Sequence, residues 1–220
     1  RAGAFAIEDT GAQIVVELVG AQPGERILDA CAGLGGKSAH LAALARNEAR
    51  IQAVDLAPSK LAEARGSFTR LGVANVETGI GDLTRPLADP AARFERILLD
   101  APCSGLGVLR RHPEALLRRS PDDLSRLAEQ QARMLATLAP HVAPGGVLTY
   151  SVCTFDRVEC EEVVEGFVRA HPDFRVEAPA PSPSVPWARL TDAAGFVRTW
   201  PHRDDADAFF AARLVRWRQP

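Results

Sequence analysis

Two cysteines are placed where they could do chemistry together. Cys103 closes the stretch Ile97-Leu98-Leu99-Asp100-Ala101-Pro102-Cys103, and Cys153 closes Val147-Leu148-Thr149-Tyr150-Ser151-Val152-Cys153. Short apolar runs of this kind read as buried parallel strands. Ligands of an open α/β sheet bind at the carboxyl ends of its strands, so both thiols can face one reacting carbon there. The thiolate is the nucleophilic form of cysteine, and the proline before Cys103 fixes the backbone of a group that must be aimed. Cys31 and Cys160 lack that placement and read as small buried hydrophobes.

A second motif is Asp29-Ala30-Cys31-Ala32-Gly33-Leu34-Gly35-Gly36-Lys37. A glycine-rich turn from strand to helix lets a ligand approach the backbone, and the helix N-terminus offers free N–H groups. The triphosphate-binding pattern needs a further glycine upstream of Gly36-Lys37-Ser38 that is missing at the required spacing. Acidic residues end the following strands. Asp55 is suited to ribose hydroxyls, as in dinucleotide enzymes, and Asp82 to an adenine amino group. Each acid alone reads as a cap or turn residue; with Asp100 they form a series of three behind one glycine turn. Of 26 Lys and Arg residues only Lys37 and Lys60 are lysines. Because the two side chains differ in shape and hydration, Lys37 inside the glycine loop is a functional candidate, while Lys60 reads as helix surface.

The elements that must position these groups follow from periodicity. Ile14–Val19 reads as a helix ended by Pro23-Gly24. Strands are expected at 26–30, 51–55, 75–80, up to Asp100 and up to Tyr150, with helices through 39–44, 58–71, 121–138 and 158–170. Pro144-Gly145-Gly146 reads as a turn and the Pro-rich segment 178–186 as a stiff loop. Two closing strands are expected at 195–200 and 208–217. This βαβα alternation implies α/β architecture: a mostly parallel, seven-stranded sheet with helices on both faces.

The 220 residues suffice for one domain with a sizeable core. A net charge of −2 does not support a uniformly basic nucleic-acid binder. The apolar runs are too short to span a bilayer and there is no signal-peptide layout, so no membrane contact and a cytoplasmic location are expected. No Cys-x-x-Cys spacing occurs, so neither metal nor a disulfide framework is expected. The chain starts with Arg1, which fits a fragment of a longer protein.

These motifs together resemble the catalytic domain of the RNA (cytosine-5) methyltransferases of the NOL1/NOP2/Sun family, most of all the bacterial Sun/Fmu type that modifies small-subunit ribosomal RNA. The matching stretches are Asp29 to Lys37, Val54-Asp55, Gly81-Asp82, Asp100-Ala101-Pro102-Cys103-Ser104-Gly105, Arg111-His112-Pro113-Glu114, Tyr150-Ser151-Val152-Cys153, Gly195-Phe196 and Phe209 to Leu214. The resemblance covers nearly the whole chain. It implies a Rossmann-like, class I S-adenosylmethionine-dependent methyltransferase fold over residues 1–220, with a helical lead-in over 1–25, a core over 26–220, and the family's N-terminal RNA-binding domain outside this chain. It also implies Cys153 as the nucleophile and Cys103 as the group assisting product release; sequence position alone does not choose between them. Asp100 and Lys37 would serve the base and the thiol, and Cys31, Ala32, Gly33, Leu34, Gly35, Gly36, Lys37, Asp55, Asp82 and Asp100 would hold S-adenosylmethionine. The chain departs from the family at Gly33-Leu34 (Ala-Pro), Val152 (Thr) and Glu8 (Gln).

The expected partner is RNA, single-stranded or with its target base flipped out, and the expected state is a monomer. Arg110, Arg111, His112, Arg118 and Arg119, clustered after Cys103, are expected to grip phosphates. The rival readings are a catalytically impaired cofactor- and RNA-binding assembly factor, kept alive by Leu34 and Val152, and a dehydrogenase, which leaves both cysteines unexplained.

Overall fold

The computed structural model describes residues 3–117 and 119–217. The chain runs through α1 (Thr10–Val19), β1 (Arg26–Asp29), α2 (Gly36–Leu44), β2 (Arg50–Asp55), α3 (Pro58–Leu71), β3 (Val76–Ile80) and β4 (Phe94–Asp100). After a 3-10 turn at Leu106–Val108 come α4 (Glu114–Leu117) and α5 (Pro121–Leu138). Then follow β5 (Val142–Val152), α6 (Glu161–Ala170), β6 (Phe174–Val176), α7 (Trp187–Leu190), β7 (Val197–Thr199), α8 (Pro201–Asp204) and β8 (Phe209–Arg216).

The sheet order is β3-β2-β1-β4-β5-β8-β6, with β7 paired to β8. β1 to β5 are mutually parallel, and β8 is antiparallel to β5, β6 and β7. The chain winds outward from β1 to β3 and then returns to β4 on the other side of β1. That reversal makes the carboxyl ends of β1 and β4 the topological switch point, where such sheets take their ligands.

Central strands buried on both faces need near-continuous apolar sequence: Ile27, Leu28, Ile97, Leu98, Leu99 and Leu148 have no exposed surface. One face packs under α1 and α2 through Val15, Val16 and Leu41, the other under α5 and α6 through Met134, Leu135, Leu138 and Phe167. α5 starts with a Ser120/Asp123 capping box and Pro121 in its first turn, and turns the stripe Leu127, Gln131, Met134, Leu135, Leu138 inward.

The sheet has eight strands rather than the expected seven. The extra one, β6, is three residues long with only Phe174 buried, too short to carry an alternating signal. Pro144-Gly145-Gly146 lies inside β5 instead of before it, at an irregularity in the β4–β5 register. No helix among the described residues is long and apolar enough to cross a membrane.

Candidate active site

The switch point brings the loops after β1, β4 and β5 together. Cys103 follows β4 and Cys153 directly follows β5, and their Sγ atoms lie 3.3 Å apart. Two further bonds stitch the two loops, and a third ties the first loop to the residue just before β8. Ser104 Oγ donates to Thr154 Oγ1 at 3.0 Å, Gly107 N–H donates to the Cys153 carbonyl at 2.9 Å, and Ala208 N–H donates to the Gly107 carbonyl at 3.0 Å. Gly107 is required by this close approach: a Cβ there would sit 2.0 Å from the Ala208 carbonyl oxygen.

Beside the thiols, Asp100 is held from both sides. Ser151 Oγ donates to Oδ1 at 2.6 Å, and Lys37 Nζ lies 2.7 Å from Oδ2. Ser151 can do this because it pairs with Asp100 across the parallel β4–β5 ladder. Lys37 comes from the first turn of α2 and also lies 5.7 Å from the centre of the Phe209 ring. Burial works against its charge, but the charge and hydrogen bond of Asp100, with Asp29 and Glu8 nearby, hold the ammonium above its ordinary range. It is a fixed cation.

The thiols differ in their surroundings. The bond to Cys153 and burial push Cys103 well up, with the Glu159 charge adding to them. The bond from Cys103 brings Cys153 down; burial and Asp100 oppose this, and Lys37 supports it. A thiol that donates to a neighbouring thiolate is the arrangement both shifts describe. Burial pushes Cys160, wholly buried, and Cys31, half-buried against the core, far up, which suits unreactive thiols.

At the glycine turn, Gly35 adopts φ +80° and caps α2 without a side chain, leaving the helix N-terminus open toward the crevice. Asp29 lies under it, wholly buried. Ser38 Oγ donates to its Oδ2 at 2.6 Å, while Oδ1 has no partner among the described residues. Burial pushes its carboxyl up to about 6, against the Ser38 bond and the Lys37 charge. Asp55 accepts from Gly33 N–H at 2.9 Å and from Ala57 N–H at 2.8 Å, and so ties the glycine turn to the end of β2. Asp82 accepts from the Thr84 hydroxyl and amide, which hold it below the usual carboxylate range. Leu34, Leu56 and Ile80 stand 56%, 57% and 67% exposed along this edge. Val54, Ile80, Gly81, Asp82 and Leu83 line an open cavity of about 480 Å³.

These residues fit an adenosyl sulfonium ligand. Asp55 and Asp82 have lone pairs left for hydroxyls and an amino group, the exposed apolar side chains offer a face for a purine, and the orphaned Asp29 oxygen sits beside the open helix terminus. Ala32 and Gly36 belong to the same turn. Of the departures from the family pattern, Val152 is wholly buried and Leu34 is on the surface. Among the described residues no group of His, Cys, Asp and Glu side chains is disposed to hold a metal ion.

The arginines expected on RNA are differently employed. Arg110 Nε donates to buried Asp207 at 2.7 Å and its Nη2 to Asp9 at 2.7 Å, while Arg111 pairs with the other Asp207 oxygen. Asp9 in turn caps α1 and accepts from Asp207 N–H at 3.1 Å. Arg119 donates to the Ser104 carbonyl at 3.0 Å, bracing the Cys103 loop. His112 is exposed, 3.3 Å from Glu114. Arg118 lies outside the described residues. Periodicity had no means of revealing Glu159, Ser151 or Asp207, which carry much of the site's framework; Gln131 was visible as a polar residue on the apolar stripe of α5.

The model of a family described as 16S rRNA methyltransferase RsmB/F matches residues 16–215. A probable ribosomal RNA small subunit methyltransferase B of Bacillus subtilis is 38% identical over 217 residues, covering 96% of this chain and 48% of that protein. A protein of the same description from Synechocystis is 36% identical, covering 97% and 48%. Among solved structures, NSun6 from Pyrococcus horikoshii with SFG superposes with a TM-score of 0.85 at 27% identity, covering 99% of this chain and 54% of that one. The chain thus spans about half the length of the curated relatives it matches.

Proposed function

The chain belongs to the RsmB/F family of 16S rRNA methyltransferases, and on that premise we propose that it methylates C5 of a cytosine in RNA, most naturally ribosomal RNA of the small subunit, with S-adenosylmethionine as methyl donor. The observation that carries this reading is the pair of thiols 3.3 Å apart beside the Asp100–Lys37 pair at the switch point. We further take residues 1–220 as one catalytic domain, working in the cytoplasm where its substrate is made.

C5 of cytosine is too weak a nucleophile to accept a methyl group unaided. Cys153 Sγ adds to C6, and the electron pair of the C5–C6 double bond then makes C5 enamine-like, which is covalent catalysis in the ordinary sense. The cofactor supplies an electrophilic sulfonium methyl. The C5 proton must then leave to a base, and the Sγ–C6 bond breaks to return the thiolate. Cys103, 3.3 Å from Cys153 Sγ, is the residue we assign to assisting that release, its thiol proton stabilising the departing sulfur. Asp100, fixed by Ser151 and Lys37, would accept a hydrogen bond from the exocyclic amine of the base and so orient it for attack. The pinned cation Lys37 favours the Cys153 thiolate.

The RNA face is better assigned to rings than to the arginines after Cys103. Phe155, two residues past the proposed nucleophile, is 45% exposed and lies 6.1 Å from the Trp200 ring, which lies 5.9 Å from His202. Unstacked bases on either side of a flipped cytosine can stack on such rings.

The test is a trapped adduct. RNA containing 5-fluorocytosine, with cofactor, should give a denaturant-stable complex with the wild type and with Cys103→Ser, and none with Cys153→Ala. A complex that survives Cys153→Ala refutes the assignment of the nucleophile.

A further inference from the structure

Glu159 sits wholly buried in the turn before α6, and no step above uses it. Its Oε1 accepts from Ser104 N–H at 2.9 Å and from Gln131 Nε2 at 2.9 Å. The same Gln131 Nε2 donates to the Pro102 carbonyl at 2.9 Å. The two peptide groups that flank Cys103 are therefore tied, one directly and one through Gln131, to a single carboxylate. Tyr150 secures the assembly, its hydroxyl lying 3.0 Å from Gln131 Oε1 and 2.6 Å from the Glu159 carbonyl.

The other carboxylate oxygen, Oε2, is buried without a hydrogen-bond partner among the described residues. Leaving such a group unpaired costs stability. A glutamine would make the same two contacts through its amide oxygen, and a methionine would fill the space. What neither supplies is a negative charge beside Cys103.

The groups around the two thiols are unequal in this respect. Around Cys103 lie Cys153 Sγ at 3.3 Å, the Glu159 carboxylate on the Ser104 amide and the Tyr150 hydroxyl on the Glu159 carbonyl, while the nearby Arg119 guanidinium is directed at the Ser104 and Cys103 carbonyls. Cys153 faces Cys103, Asp100 and Lys37. A negative neighbour disfavours a second negative charge.

We propose that Glu159 is the positioning residue that gives two chemically identical thiols different tasks: it grips both flanks of Cys103, keeps the proton on Cys103 Sγ and aims it at Cys153 Sγ, so that Cys153 is the one left to attack. The directions of both thiol shifts agree with this. The proposal rests on the methyltransferase reading for what Cys153 attacks, but the place of the proton is a property of the protein without RNA or cofactor.

That independence supplies the test. In a Cys153→Ser background, the pH dependence of Cys103 alkylation by iodoacetamide is followed by peptide mass spectrometry, with Glu159 and with Glu159→Gln. Glutamine keeps the acceptor oxygen and removes the charge. Alkylation of Cys103 at pH 7.5 should become about tenfold faster, equivalent to about one unit of pKa, with a melting temperature close to that of the parent. A superimposable pH profile in a folded Glu159→Gln overturns the proposal, because a purely structural brace would leave the profile in place. Should glutamine fail to fold, Glu159→Asp serves: it keeps the charge, so Cys103 should stay as slow as in the parent, and a fast Cys103 overturns the idea. With both cysteines present, Glu159→Gln should also shift alkylation from Cys153 toward Cys103. A wild type that shows this behaviour but transfers no methyl group to RNA would refute the functional reading and leave the role of Glu159 standing.

Discussion

Replacing Gly107 by alanine separates the architecture of the site from its chemistry, because Gly107 has no side chain to react yet ties the two cysteine loops together. The new Cβ would lie 2.0 Å from the Ala208 carbonyl oxygen and 2.8 Å from that of Cys153. Both obstacles are backbone, so no rotamer change relieves them. The 3-10 turn Leu106–Val108 must move away, and in moving it gives up the bonds from Gly107 N–H to Cys153 and from Ala208 N–H to Gly107. Two net hydrogen bonds at about 1 kcal/mol each and an overpacking cost of about 1–3 kcal/mol sum to about 3–5 kcal/mol. For a chain of this size that lowers Tm by about 10 °C, at about 2–4 °C per kcal/mol. If the turn instead yields locally, part of that loss is avoided but Cys103 is displaced from Cys153, and a misplacement of about 1 Å costs about a hundredfold in rate. Calorimetry and methyl transfer to RNA should be measured on the same preparation. Thermal stability and rate both within error of the wild type would refute the claim that this contact sets the thiol geometry.

Asp29 should leave a pH signature. Its folded-state carboxyl is raised to about 6 by burial, so between pH 4 and 6 the folded state holds a proton that the unfolded state has lost, and stability falls as pH rises through that window. The loss is about 3 kcal/mol, and Asp29→Asn should escape it: the unfolding free energy of the variant minus that of the wild type should rise by about that amount from pH 4 to 7, and a flat difference contradicts the assignment. Arg110→Glu with Arg111→Glu should lower Tm by leaving buried Asp207 unpaired, without flattening the salt dependence of RNA binding among molecules that remain folded; a reduced salt slope would return these arginines to the RNA face. Trp200→Ala should raise KM for RNA about tenfold, within the range for one lost base stack, with kcat little changed; a fall in kcat alone would argue against stacking.

Much of the fold was legible because its central strands are buried on both faces, and that condition writes itself into sequence as the runs ending at Asp100 and Cys153. The glycine turn was legible for a different reason: its geometry excludes most side chains. β6 was not, since Phe174, Arg175 and Val176 offer one buried residue and no period. The arginines after Cys103 show how far in sequence a local cluster can lie from its partners. Their clustering looked like a phosphate grip, but the residues that claim two of them, Asp9 and Asp207, lie about a hundred or more positions away. Such a pairing is created by topology, when β8 returns antiparallel beside β5. Glu159 was hidden similarly, in a polar stretch that reads as the exposed start of a helix until folding closes α5 over it.

The electrostatics of the crevice bear on the direction of the proposed reaction. Asp55, Asp82 and Asp100 stand along the edge with Asp29 buried beneath it, while Lys37 is paired with Asp100 at 2.7 Å and the exposed Arg85 lies 3.4 Å from Asp82. A site of that balance favours a positively charged sulfonium ligand over a neutral thioether of the same shape. Methyl transfer makes that conversion, so the same residues that bind the donor hold its product less tightly. RNA, a polyanion, gains nothing from these acids. Its affinity must come from stacking and from surfaces away from the cofactor edge, which is why exposed rings beside Cys153 suit the reading better than arginines already paired with buried carboxylates. A compact ammonium also suits its place better than a guanidinium would, since it must fit between Asp100 Oδ2 and the Phe209 ring. In a chain that uses arginine almost everywhere else, that constraint accounts for the lysine at position 37.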